Sequence, residues 1–322
     1  MTKSADPSCP LYKGMRTFTV WSRLSGSFAR TRHRWIRNRS RPVPLSFDNI
    51  CAMNFHYQRY PLEAFLDDAA ELGLTQVEIW GAAPHFYVGD RTLSDARELR
   101  NQIRTRNLKI ACFTPEQCVY PINLASPQEK LRNRSVRYFE QCLEMCAEMA
   151  SPALLVTPGS GYANEPAALA WDRCVNSLGT ISKRAEELGI TLYLECLPPA
   201  WSNVATTARD LARLLAVVGS PAIRSMMDTS AAVLSEESVS DYATELKSGF
   251  AHMHMTDADV AGSHLAWGDG MLDLDLYLAE LQTIGYQGAL SLELTNSRYY
   301  LDPKPALKQS VEKLSAAIGR LA

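Results

Sequence analysis

The chain of 322 residues lacks the segments that would place it in a membrane or a secretory route. No apolar run approaches the roughly 18 residues of a membrane span, and the N-terminus has no compact apolar signal region. The eight cysteines are dispersed without a Cys-x-x-Cys pair, which is typical of reduced thiols. We therefore expect a cytoplasmic protein without a membrane partner.

Motifs that bind nucleotide phosphates are also absent. No G-x-x-x-x-G-K-[ST] sequence occurs, and the turn after the first predicted strand, at 53–57, reads MNFHY without a glycine. A doubly wound dinucleotide-binding sheet usually has a glycine-rich turn at that point. We therefore expect no nucleotide cofactor.

The net charge of −2 conceals a strongly basic N-terminal segment. Residues 1–45 carry ten Lys and Arg against Asp6 alone, so they sum to 10 − 1 = +9 and the remainder to −11. The segment has no sustained apolar period, which favours a disordered extension before a single domain at 46–322. An organelle-targeting peptide and a nucleic-acid or membrane-surface arm are the alternatives, because the stretch is rich in arginine.

From residue 48, short apolar runs alternate with longer amphipathic stretches. The runs predict buried strands at 49–54, 76–80, 108–113, 153–157, 191–195, 223–228, 251–255 and 289–293. The intervening stretches predict helices that end at Leu-Gly or Ile-Gly, as at Leu72-Gly73, Leu188-Gly189 and Ile284-Gly285. Eight such units over about 270 residues predict an α/β fold, a closed (βα)8 barrel.

Polar side chains end four consecutive predicted strands in the C-terminal half. They are Glu195, Asp228, the pair His252 and His254, and Glu293. Each one alone could be a satisfied core group, but four at matching depth indicate one site at the carboxyl ends of the strands. Three carboxylates and one imidazole suit Mn²⁺, Mg²⁺ or Co²⁺ rather than a structural zinc ion. We choose His254 over His252 as the ligand because it lies nearer the end of its strand.

Several stretches of the barrel region also resemble a known family. They are Gln58–Leu62, Val77–Gly81, Pro84-His85, Thr114–Glu116, Tyr120–Asn123, Leu194-Glu195, Ser202–Val204, Met227-Asp228, His252–His254 and Leu292–Leu294. Together they resemble the sugar isomerase and epimerase branch of the xylose isomerase-like TIM barrels. Within that branch the chain is similar to fructoselysine 3-epimerases, with ketose 3-epimerases further off. The resemblance covers roughly residues 48–320.

The resemblance implies roles for the matched positions. Glu195, Asp228, His254 and Glu293 would hold one divalent metal ion, with Mn²⁺ favoured. Glu195 and Glu293 would also face opposite sides of the reacting carbon of a ketose. One carboxylate would remove the C3 proton, the metal would hold the enediolate, and the other carboxylate would return a proton to the opposite face. The leading interpretation is a metal-dependent sugar 3-epimerase acting on a fructoselysine or psicoselysine type of substrate.

Five further residues are predicted to bind the substrate: Trp80, His85, Glu116, Trp201 and Asn203. Aromatic rings at a barrel mouth stack on sugars or plug the core, and Glu116 could bind a hydroxyl or amine or cap a loop. The related ketose 3-epimerases carry a glutamate where Trp201 aligns. Their Pro-Gly-Glu-Gly turn is replaced here by Trp267–Gly270. These departures reshape the pocket and leave the metal ligands intact.

Other functions on the same site remain open. An aldose–ketose isomerase, a hydroxypyruvate isomerase and an inosose dehydratase would share the metal ligands. A DNA-repair endonuclease of this superfold uses three metals and more histidines than the six present here, which disfavours nucleic acid as a partner. A non-catalytic sugar-binding barrel would not need the pair Glu195 and Glu293. Barrels of this kind often pair, so a homo-oligomer is also an open expectation.

Overall fold

Eight parallel strands close into a barrel in the computed structural model, which describes residues 44–117 and 121–321. The strands follow one another around the barrel in chain order. They are β1 (Ile50–Met53), β2 (Gln76–Gly81), β3 (Lys109–Pro115), β4 (Ala153–Val156), β5 (Thr191–Leu194), β6 (Ile223–Asp228), β7 (Phe250–His254) and β10 (Leu290–Leu292). The last strand pairs with the first, so the predicted (βα)8 barrel is confirmed. All but the last two residues of the predicted extension, 1–45, lie outside the described residues.

Helices surround the strands in the expected alternation. They are α1 (Leu62–Glu71), α2 (Leu93–Arg104), α3 (Glu129–Met149), α4 (Ala167–Leu188), α5 (Ala208–Val218), α6 (Thr229–Leu234), α7 (Val239–Leu246), α8 (Leu274–Ile284) and α9 (Pro303–Leu321). Gly189 and Gly285 end α4 and α8 with φ of 68° and 71°, a left-handed conformation that favours glycine. None of these helices has the length and apolarity to cross a bilayer.

The segment between β7 and α8 differs from the sequence prediction. It forms an antiparallel hairpin of β8 (Asp257–Asp259) and β9 (Gly262–Leu265), whereas the sequence indicated a plain connection. Asp259 Oδ1 accepts hydrogen bonds from the Ala261 and Gly262 amides at 2.7 and 2.8 Å and so forms the turn. The strands are too short and polar to show a two-residue period. The sequence also does not predict α6, because six residues are too few to show a helical period.

The barrel strands are buried on both sides, as expected when helices cover a parallel sheet. Every residue of β1, β2 and β4 is buried. The helices pack apolar faces such as Leu178, Ile181 and Ala185 of α4 against them. Burying one Leu or Ile side chain stabilises the fold by about 1.5–3 kcal/mol, so charged groups inside this shell need partners of their own.

Candidate metal and active site

The four side chains predicted as metal ligands meet at the carboxyl ends of β5, β6, β7 and β10. His254 Nδ1 lies 2.9 Å from Glu293 Oε2, 3.8 Å from Glu195 Oε1 and 3.9 Å from Asp228 Oδ2. Glu195 and Glu293 directly follow their strands, and Asp228 and His254 end theirs. The parallel register of a closed barrel therefore brings together residues that lie 26 to 98 positions apart.

Asp228 has two tasks that use different oxygen atoms. Its Oδ1 accepts hydrogen bonds from the Ser230 and Ala231 amides at 2.5 and 3.0 Å, which caps the N-terminus of α6. Its Oδ2 faces His254. The short helix after β6 thus fixes the carboxylate and leaves one oxygen for the site.

The residues at this site fit a divalent metal ion. His254 is 1% exposed, and its Nδ1 has no hydrogen-bond partner among the described residues. Its Nε2 lies 3.0 Å from Glu78 Oε1, which can only accept when ionised, so Nε2 carries a proton and Nδ1 is the nitrogen that faces the carboxylates. An imidazole nitrogen without a hydrogen-bond partner, beside three carboxylates, belongs to a donor set for Mn²⁺, Mg²⁺ or Co²⁺.

The electrostatics of the cluster favour positive charge at its centre. Burial opposes ionisation of His254, but the charges of Glu293 and Glu78 outweigh burial and raise its pKa well above the usual value. A proton or a metal ion on the Nδ1 side would satisfy the same carboxylates. Since metal binding requires the free lone pair, a divalent cation would compete with that proton.

The pKa values of Glu195 and Glu293 are shifted in opposite directions. Burial raises the pKa of Glu195, and the nearby charges of Asp228 and Glu293 add to the effect against the opposing charge of His254. Burial also acts on Glu293, but its contact with His254 outweighs burial and lowers its pKa. Two neighbouring carboxyl groups with divergent pKa values can divide the roles of proton donor and acceptor.

A second polar layer lies beneath the cluster and was missed by the sequence reasoning. Glu78 of β2 is fully buried; its Oε2 lies 2.9 Å from His252 Nε2 and its Oε1 accepts from Thr114 Oγ1. The ring of His252 stacks on Tyr193 with centroids 5.0 Å apart. His252 therefore belongs to this deeper layer, while His254 reaches the carboxylates. Glu78 carried the same signal as the four strand-end residues, a lone charge within an apolar strand.

His264 on β9 also reaches the cluster and was missed as well. Its Nε2 lies 3.2 Å from Asp228 Oδ2 and 3.5 Å from Glu293 Oε2, and a quarter of its side chain is exposed. Burial opposes its ionisation, but Asp228 and Glu293 together raise its pKa to about 10. No strand or helix period marks this histidine, because the hairpin itself gave no sequence signal.

Comparison with known proteins gives this barrel a family. Residues 66–317 match the family described as the xylose isomerase-like TIM barrel. The chain belongs to that family. Fructoselysine 3-epimerase of Escherichia coli O157:H7 is 31% identical over 264 residues, which cover 81% of this chain and 95% of that enzyme. The family and this relative make the chain an isomerase-type enzyme.

Solved structures share the xylose isomerase-like fold. L-ribulose 3-epimerase superimposes with a TM-score of 0.70 at 18% identity, over 84% of this chain and 94% of that one. D-psicose 3-epimerase in the presence of D-fructose gives a TM-score of 0.68 at 17% identity, over 84% and 97% of the two chains. At these identities the likeness concerns the fold alone.

In this xylose isomerase-like barrel, Trp80 lies at the mouth, at the end of β2. Its ring is 8% exposed and packs on Phe55 with centroids 4.3 Å apart. Trp201, on the loop after β5, is 60% exposed. The first ring is therefore part of a fixed aromatic wall, whereas the second is largely open to solvent.

The other predicted substrate contacts have protein partners. Asn54 Nδ2 lies 2.7 Å from His85 Nδ1, and His85 Nε2 lies 2.9 Å from the Tyr60 carbonyl. Asn203 Oδ1 accepts a hydrogen bond from the Gly161 amide at 2.8 Å, which joins the loops after β4 and β5. Glu116 is half-buried just after β3. Substrate binding by these residues stays a prediction.

Proposed function

We propose that this enzyme is a divalent-metal-dependent sugar epimerase that inverts C3, the carbon next to a ketose carbonyl. The observation that carries the proposal is the meeting of Glu195, Asp228 and Glu293 around the unpartnered Nδ1 of buried His254. Mn²⁺ is the favoured ion. The substrate class is taken from the relative named fructoselysine 3-epimerase, so fructoselysine or psicoselysine types come first.

Glu195, Asp228, His254 and Glu293 would hold the metal ion. When bound, that ion would act as a Lewis acid on the ketose carbonyl and increase the acidity of the neighbouring C–H bond. One of the two outer carboxylates, Glu195 or Glu293, takes the C3 proton. The other delivers a proton to the opposite face, and the centre inverts.

The remaining residues would hold and orient the sugar. We place a sugar face against the Phe55–Trp80 wall, because apolar C–H faces pack on aromatic rings. The exposed ring of Trp201 would cover the other side of the mouth, and Glu116 would bind a hydroxyl or amine. A sugar held in this way would direct its C3–H bond at the carboxylates, and the Phe55–Trp80 wall would exclude water from one side of the sugar.

Proton exchange in D₂O tests this function. The Mn²⁺-loaded protein would be incubated with fructoselysine and with a panel of ketoses, and NMR would follow deuterium at each carbon. We expect incorporation at C3 with formation of the inverted sugar. Glu195→Gln and Glu293→Gln should each abolish the inverted product, whereas the exposed Glu129→Gln should not change it.

Two outcomes of this experiment would contradict the proposal. Deuterium at C1 instead of C3 would indicate an aldose–ketose isomerase on the same residues. Absence of exchange with every sugar, in protein shown by titration to bind Mn²⁺, would show that the substrate is not a ketose of this class.

A further inference from the structure

Two histidines approach the same carboxylates from different sides. His254 comes from the barrel interior, is 1% exposed and directs Nδ1 at Glu293. His264 comes from the β8–β9 hairpin, is 25% exposed and directs Nε2 at Asp228. The buried approach suits a ligand inside the barrel, and the partly exposed approach lies on the solvent side, from which a sugar would enter.

The partner of the far nitrogen differs between the two rings. His254 has the Glu78 carboxylate as an acceptor at Nε2, so Nδ1 is the nitrogen left to face the cluster. His264 Nδ1 lies 2.9 Å from Ser263 Oγ, a hydroxyl that can donate or accept. His264 Nε2 lies 3.2 Å from Asp228 Oδ2, and because an ionised carboxylate only accepts, Nε2 carries a proton and donates. The first ring offers Nδ1 to a ligand inside the barrel, and the second offers an N–H group.

The hairpin holds His264 firmly in this direction. His264 has φ of 54°, a left-handed conformation that is unfavourable for a non-glycine residue. Its amide lies 3.4 Å from Ser230 Oγ on α6. At the base of the hairpin, the buried Asp257 carboxylate accepts from the amides of Gly268, Gly270 and Leu272 at 2.9 to 3.0 Å. The surrounding contacts therefore maintain a conformation that the isolated residue disfavours.

We infer that His264 is a catalytic residue that donates an Nε2–H hydrogen bond to the carbonyl oxygen of the ketose, which lies on C2 beside the reacting C3. This inference rests on the proposed epimerase function. A sugar oxygen entering between His264 and the cluster would accept this hydrogen bond in place of Asp228 Oδ2. Removal of the C3 proton concentrates negative charge on that oxygen, so a fixed donor there stabilises the transition state more than the ground state. His264 itself forms and breaks no covalent bond.

The test compares three variants for metal binding, sugar binding and turnover. His264→Ala removes the donor, His264→Gln restores an N–H donor, and Ser263→Ala removes the hydroxyl from Nδ1. Calorimetric titration with Mn²⁺ should give a Kd within about threefold of the wild type for all three. Because loss of one such donor typically lowers kcat about 100- to 1000-fold, we expect a loss of that order in His264→Ala with a smaller change in KM. His264→Gln should recover part of the loss, and Ser263→Ala should lose less than His264→Ala.

Each contrary outcome has a separate meaning. A rise of 100-fold or more in the Mn²⁺ Kd of His264→Ala would make His264 a metal ligand and overturn the inference. Unchanged kcat and KM in an active enzyme would overturn it while leaving the epimerase function intact. If the wild type turns over no sugar, the proposed function fails. The inference about His264, which rests on that function, then fails with it.

Discussion

The two halves of the barrel share one architecture but differ in the residues that end their strands. The first four strands end in Met53, Gly81, Pro115 and Val156, and none of these side chains is charged. The last four lead into Glu195, Asp228, His254 and Glu293. The ionisable groups of the cluster thus come from the second half, whereas the first half contributes the Phe55–Trp80 wall and the loop contacts of Asn54 and His85.

The second half of the barrel therefore provides the charged groups, and the first half provides the wall of the pocket. Charged groups must lie close together to hold an ion, and adjacent parallel strands of a barrel bring their ends within a few ångströms of one another. Shape can be provided by the opposite half, where the Phe55–Trp80 pair lies at the ends of the first two strands. Glu78 is the exception, since it comes from β2 and contacts His254 of β7 through the barrel interior.

The largest effect on Mn²⁺ affinity is expected from a substitution of Asp228, a cluster residue of the second half. Asp228→Asn keeps an oxygen to cap α6 but loses the negative charge toward the site. We expect the Mn²⁺ Kd to rise at least about 100-fold, because loss of a contact that merely supports a ligand already lowers metal affinity about 10- to 100-fold. Titration calorimetry measures it, and Asp273→Asn, at the N-cap of α8, is the matched control that should leave it unchanged. Equal losses in both variants would point to a fault in folding.

A smaller effect on metal binding is expected from Glu78, the exception in the first half. Glu78→Gln keeps the shape but offers an amide that can no longer fix the Nε2–H form of His254 by charge. Loss of such a supporting contact typically lowers metal affinity about 10- to 100-fold. The Mn²⁺ Kd and the thermal midpoint are to be measured together. An unchanged Kd would show that His254 is oriented without the first half of the barrel.

The aromatic wall should affect the sugar and not the metal. Phe55→Leu removes the ring that packs on Trp80, and we expect KM to rise about 3- to 10-fold, which corresponds to about 0.5–1.5 kcal/mol for an aromatic contact. The Mn²⁺ Kd should stay constant. Phe250→Leu, at the opposite end of β7, removes a ring that packs on Tyr286 and is the control. A change in Mn²⁺ affinity in Phe55→Leu alone would contradict the proposal that the second half holds the metal and the first half contacts the sugar.

The smallest effect concerns stability, at His56 in the first half. His56 is fully buried, neither ring nitrogen has a hydrogen-bond partner among the described residues, and burial lowers its pKa to about 3. The unfolded chain takes up this proton near pH 6.5 and the folded chain only near pH 3. Stability is therefore present above pH 6.5 and is lost as pH falls, by up to about 1.4 kcal/mol per pH unit.

His56→Phe removes this titration while keeping an aromatic ring. Urea unfolding from pH 7 to 4.5 should show a shallower loss of unfolding free energy in the variant than in the wild type. Parallel curves for the two proteins would mean that His56 is solvated or hydrogen-bonded in solution.

The sequence by itself determined the barrel and most of the cluster of carboxylates around His254. Apolar runs and Leu-Gly helix ends depend on local geometry, so strand and helix positions follow from nearby residues alone. The four strand-end residues could be grouped because a closed barrel places the ends of consecutive strands together whatever the details of packing. Placing His254 rather than His252 at the carboxylates required only its position along the strand.

Only the tertiary structure showed the contacts of Glu78, His264 and the predicted sugar-binding residues. Glu78 and His254 are 176 residues apart, and their hydrogen bond exists because β2 and β7 face each other across a filled interior. His264 reaches Asp228, 36 residues away, only because a short polar hairpin folds back over the mouth. His85 and Asn203 carry the residue types of a sugar site, yet their polar atoms contact neighbouring loops. Local patterns report which face of an element is buried, but the partner of a side chain depends on how distant elements pack.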